Sequence, residues 1–131
     1  MIHCVHVCVR VVVRVGTVLY VASGYLRDLR VALAGAVVSL AEHPWRWDNR
    51  GKVKIVDRTG RTIAVSPEYS SLEGMAWRQS GDAVLFSGRV SSGLVVHALG
   101  RDGRTRAALA GPGNLTTQDV SPTGQLLITR D

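Results

Sequence analysis

Asp119-Val120-Ser121-Pro122-Thr123-Gly124-Gln125-Leu126-Leu127-Ile128-Thr129 decides the fold: an extended lead-in, a four-residue reversal ending in glycine, and an apolar run. The same pattern of apolar run, turn and apolar run recurs around Gly81 and Gly35, so the turn glycines fall 46 and 43 residues apart. A second marker, Thr59-Gly60-Arg61-Thr62 and Asp102-Gly103-Arg104-Thr105, repeats at the same 43-residue step. Two markers sharing one such period are the signature of four-stranded blades in a β-propeller.

The rest of the chain agrees. Every odd residue from Val5 to Val15 is valine, a period of two that predicts one strand, followed by a partner over Thr17–Ala22. Two full blades are expected next. The first has strands near Leu29–Ala32, Ala36–Ala41, Val53–Asp57 and Thr62–Ser66, the second near Gly74–Trp77, Ala83–Ser87, Leu94–Leu99 and Arg104–Leu109. Ala83-Val84-Leu85-Phe86 lacks alternation, as a strand covered on both faces does. Asp102-Gly103 is a type I′ hairpin signal, and Ser121-Pro122-Thr123-Gly124 a reversal fixed by proline and released by glycine. The expectation is an all-β partial propeller: an outer half-blade over 1–24, blades over 25–67 and 68–113, and an inner half-blade over 114–131. Propellers close with about four to eight blades. Either the chain belongs to a longer propeller or copies of it assemble to close the ring.

The copy at Asp119–Thr129 resembles the TolB-like, WD-repeat-like propeller repeat of bacterial proteins. The second copy, Ala76-Trp77-Arg78-Gln79-Ser80-Gly81, keeps the tryptophan and glycine but not Ser-Pro-Asp; the first, Val31-Ala32-Leu33-Ala34-Gly35, keeps only the glycine. Longer segments are similar to propeller regions C-terminal to bacterial serine/threonine protein kinases. They are Gly16–Tyr20, Glu42-His43-Pro44 with Asn49-Arg50-Gly51, Leu72–Trp77 and Leu115–Pro122. The resemblance implies a sensing or interaction module beside a signalling kinase rather than the kinase itself.

The residues themselves point away from catalysis. There is no glycine-rich phosphate loop, no Val-Ala-Ile-Lys lysine, no His-Arg-Asp loop and no Gly-x-Ser-x-Gly elbow. An enzyme of hydrolase type is the alternative, with His43, His97 and Asp119 as its polar candidates. No cofactor or metal site is expected. His3, Cys4, His6 and Cys8 are metal-ligand types, but an extended strand sets the two cysteines roughly 13 Å apart. The net charge is +6, with arginine supplying 14 of 16 cations, yet the arginines are scattered and do not form a nucleic-acid groove. Five of them, Arg58, Arg61, Arg101, Arg104 and Arg106, cluster at the two equivalent hairpins, where keeping the outer strands soluble is the favoured reading and a basic edge for an acidic partner the other. No uncharged apolar run of ~18 residues predicts a membrane span.

The candidate partner site is the connection Glu42–Gly51, with the neighbouring loops Ser66–Glu73 and Ser87–Gly93. Its residues are His43, Trp45, Arg46, Trp47, Asp48, Arg50, Tyr69 and Arg89, types that dominate binding hot spots. For the two loop tryptophans, folding back over the blade edge is the favoured competing reading; Trp77 is expected to pack between blades. A protein partner is expected, and also self-association through open edges, with Val5–Tyr20 pairing against Gln118–Arg130.

Overall fold

The computed structural model describes residues 2–5, 8–14, 17–32, 37–91 and 93–131. Among them the extended runs form strands, and there is no helix. The first sheet holds β1 (Ile2–Val5), β2 (Cys8–Arg14) and β3 (Thr17–Ala22). The second holds β4 (Tyr25–Ala32), β5 (Val37–His43), β6 (Lys52–Asp57) and β7 (Thr62–Val65). The third holds β8 (Leu72–Trp77), β9 (Ala83–Val90), β10 (Gly93–Gly100) and β11 (Thr105–Leu109), and the fourth β12 (Leu115–Val120) and β13 (Leu126–Arg130). Every sheet is an antiparallel meander in chain order. The sheets do not close on one another. With no helix among the described residues, none is long and apolar enough to cross a membrane.

The start of the chain differs from expectation. Val5 pairs with Cys8 and Cys4 with Val9, so the valine-rich run folds back on itself and the first sheet has three strands, not two. Alternation reports extended backbone but not where it reverses, and no Gly, Pro, Asn or Asp marks this reversal in the sequence. The fold-back also removes the extended-chain argument that separated Cys4 from Cys8. Among the described residues no group of three or more His, Cys, Asp or Glu is placed to hold a metal ion. His6 and the Gly35 turn lie outside the described residues.

Burial explains the stacking. β5 and β9 are buried along almost their whole length because a sheet covers each of their faces, as the unbroken apolar run Ala83–Phe86 predicts. Ala41, Val53, Ile55 and Ala64 of the second sheet pack against Leu72, Met75, Phe86 and Leu99 of the third. Ala22 and Tyr20 of β3 cover the other face of the second sheet at Leu26, Val38, Leu40 and Val56. Leu85 and Val96 meet Leu115, with Leu126 and Ile128 of the fourth sheet. Each four-stranded sheet is thus enclosed by its neighbours in sequence. Burying the valine, leucine, isoleucine, methionine and phenylalanine side chains among these contributes about 1.5–3 kcal/mol each.

The facing strands β8 and β12 come close enough to require glycine. Gly74 has φ +69°, and a Cβ there would overlap the Thr117 carbonyl oxygen of β12. Trp77, partly buried against the first core, donates its indole N–H to the Arg30 carbonyl at 3.2 Å, bridging the third sheet to the second as expected.

The turns share one geometry. Gly60, Gly81, Gly103 and Gly124 each have positive φ and each donate N–H to the carbonyl three residues earlier, at Asp57, Arg78, Gly100 and Ser121. At Asp102-Gly103 only the glycine has positive φ, so this is not type I′. Gly100–Gly103 instead forms a turn followed by a left-handed glycine, closed by Gly100 N–H to the Arg104 carbonyl at 2.8 Å. The Asp102 carboxylate, accepting Arg104 N–H at 3.0 Å, favours this three-residue loop.

Candidate functional site

β5 runs on to His43 and β6 starts at Lys52, so the tryptophan loop is residues 44–51. Its backbone is held from several sides. The His43 ring Nδ1 lies 2.9 Å from the Arg50 carbonyl, which only accepts; the ring therefore donates Nδ1–H. Asp48 accepts Arg50 N–H at 2.9 Å and its guanidinium at 2.8 Å, and the Arg50 hydrogen bonds hold its carboxyl below the usual range. Gly51 and Tyr69 exchange both backbone hydrogen bonds, and Leu72 N–H reaches the Asn49 carbonyl at 2.9 Å. Arg27 of β4 donates to the Asn49 side chain at 3.4 Å.

On this clamped frame Trp45 is 70% exposed and Trp47 86%. The expectation that they fold back over the sheet edge is overturned: both indoles stand exposed, while His43 and Leu72 are buried and Tyr69 packs against the core at that edge. The Arg46 guanidinium lies 4.9 Å from the Trp47 ring centroid, a cation–π contact at the loop tip. A cleft of ≈ 370 Å³ opens beside Trp45, walled by Glu42, Lys52, Lys54 and Glu68. Behind it Tyr20 donates to Glu42 at 2.5 Å, while Lys54 reaches Tyr20 at 2.9 Å and Glu42 at 3.3 Å. Burial and then the Glu42 hydrogen bond raise the Tyr20 pKa. Burial alone would lower the Lys54 pKa, but its bonds to Tyr20 and Glu42 raise it. This cluster fastens β3 to the second sheet.

Two expected site residues do other work. His43 is buried at the end of β5, because its ring closes the loop instead of facing solvent. Tyr69 packs edge-on to Phe86 with ring centroids 5.6 Å apart, over Gly88, where a Cβ would strike the ring. The loops Ser66–Glu73 and Ser87–Gly93 are shorter than expected. Leu72 and Glu73 belong to β8, and β9 continues through Arg89 to Val90, since Arg89 N–H finds the Ser71 carbonyl at 2.9 Å. Arg89 itself is exposed. Asn49, Gly51 and Leu72 lie within the expected loops, but their pairings and the part played by Arg27 carry no local signal, because the partners are distant in sequence.

His97 is buried beside Phe86 and Tyr69, with Nε2 3.3 Å from the Gly88 carbonyl. Asp119 is exposed on β12 and accepts the N–H of Val120 at 2.8 Å. With His43 bonded to Arg50, each polar candidate of the enzyme alternative is engaged locally. No protein-family model, curated protein or solved structure matches this chain.

Proposed function

We propose that this chain is a non-catalytic protein-interaction or sensing scaffold, organised as part of a TolB-like, WD-repeat-like propeller of the kind borne by bacterial signalling kinases. The stacked meanders and the adjacent inner strands β4, β8 and β12 support the propeller reading. One observation carries the interaction reading: two tryptophans stand exposed on a loop whose backbone is pinned at His43, Asn49, Asp48 and Gly51. Large aromatic side chains on a preorganised frame lose little freedom on binding and supply most of the affinity at hot spots. The partner meets Trp45, Arg46 and Trp47, with Arg50 and Arg89 at the rim.

A photo-crosslinking residue placed at Arg46 identifies partners, whose affinity is then measured for Trp45→Ala and Trp47→Ala. Each substitution is expected to cost about 2 kcal/mol or more in binding and little in stability. Unchanged affinity for every crosslinked partner, with the fold intact, removes the site.

A further inference from the structure

At the rim opposite the tryptophan loop the charge is one-sided. The connections 58–61, 78–82, 101–104 and 121–125 carry five arginines against two aspartates, and adding the strand-end residues Arg30, Arg106, Asp57 and Asp119 keeps the excess. The aspartates are committed to their own turns. Asp57 accepts the N–H groups of Thr59 and Arg61 at 2.9 and 3.0 Å, Asp102 that of Arg104, and Asp82 the Ser80 hydroxyl at 2.6 Å. What they give the arginines is slight. Arg78 meets Asp82 through Nε at 3.4 Å and Arg106 meets Asp102 through one Nη at 3.6 Å. Both contacts are longer than the ~2.7–2.9 Å of a strong charge-assisted bond. The arginine side chains stay 54% and 61% exposed.

Between these two arginines lies a hollow of ≈ 560 Å³, lined also by Arg101, by Asp82 and Asp102, and by Ala83, Ala98 and Ala107. A volume of this order suits a small ligand. Three arginines thus face two aspartates in the lining, and those aspartates accept hydrogen bonds from Ser80 and from Arg104 N–H, which leaves a cationic excess. The guanidinium fork matches an oxyanion of tetrahedral phosphate type. We propose that this hollow, between the β8–β9 turn and the β10–β11 hairpin, binds a phosphate group through Arg78 and Arg106. It is independent of the interaction-loop reading and lies on the other rim.

Inorganic diphosphate, titrated calorimetrically at low salt, is the first probe; vesicles of phosphatidylserine in phosphatidylcholine are the second. Binding is expected for one of them, and the preference tells a free phosphate from a lipid headgroup. The double variant Arg78→Gln/Arg106→Gln is expected to lose about tenfold or more, and Arg78→Lys/Arg106→Lys to fall between it and the parent, because charge remains but the fork is gone. Arg130→Gln, removing an exposed arginine on β13, is the control and is expected to bind like the parent. No binding of either probe, or equal losses in Arg130→Gln and the Arg78/Arg106 pair, overturns the proposal. Thermal melts of every variant show whether a loss is merely unfolding.

Discussion

Thr117 of β12 donates its backbone N–H to the Ser87 hydroxyl of β9 at 2.8 Å, and the two hydroxyls lie 3.1 Å apart, all of it buried. This is a polar joint between the third and fourth sheets in otherwise apolar surroundings. Removing the acceptor leaves a buried N–H unsatisfied. Ser87→Ala is expected to cost about 1–3 kcal/mol, seen as a lower midpoint in urea at unchanged slope. A variant as stable as the parent means that the joint contributes nothing net.

Gly74 and Gly103 both have positive φ, but only Gly74 faces another backbone; nothing lies within 4 Å of a Cβ built at Gly103. Gly103→Ala therefore meets backbone strain alone, about 1–2 kcal/mol. Gly74→Ala meets that strain plus overlap with the Thr117 carbonyl, and is expected to be markedly the more damaging. Thermal melts of the two proteins decide it, and equal losses contradict the close approach of β8 and β12.

Two buried histidines make stability depend on pH. Burial lowers the pKa of His43 and of His97, with each backbone hydrogen bond opposing it only in part. With Nδ1–H given to Arg50, a second proton on His43 goes to Nε2, which has no hydrogen-bond partner among the described residues. The unfolded chain titrates near 6.5. Above that pH their full contribution is present, and it is lost as pH falls through the depressed folded values. Each contributes a slope of up to about 1.4 kcal/mol per pH unit in that window. Denaturation between pH 5 and 8 is expected to show stability falling on the acid side, with a shallower fall in His43→Gln. A flat profile contradicts this.

Self-association is expected at the fourth sheet. Among the described residues β13 pairs only with β12, and Leu127 on β13 is 60% exposed. An open edge beside an apolar side chain is a template for another strand. Light scattering is expected to show mass rising with concentration, and Leu127→Lys to suppress the rise. A monomer at all concentrations in the parent rules this out.

Much of the architecture is legible because it is local. The strands of the second and third sheets lie close to where alternation and turn residues place them. The two glycine markers belong to one device. Gly60, Gly81, Gly103 and Gly124 follow one another at 21, 22 and 21 residues, each closing the same kind of turn at the same rim. In the sequence they look like separate motifs, since Asp-Gly-Arg-Thr and Ser-Pro-Thr-Gly share only the glycine. Positive φ after a tight reversal is what they have in common, and that is a property of backbone. The reversal within the valine-rich start carries no such residue and escapes notice. The β4 strand likewise begins at Tyr25, before its expected start at Leu29, because a bulge at Asp28, with φ +55°, carries the pairing with β5 across the interruption.

The sequence by itself determined that this chain is strands joined by glycine turns in meander order, because extended backbone and left-handed turn positions are chosen within a few residues. Only the tertiary structure decided which side chains of the tryptophan loop face outward. His43 turned inward onto the Arg50 carbonyl, and Trp45 and Trp47 stand outward on a loop whose backbone is held by hydrogen bonds from Arg27, Tyr69 and Leu72, each 16 or more residues from His43 along the chain.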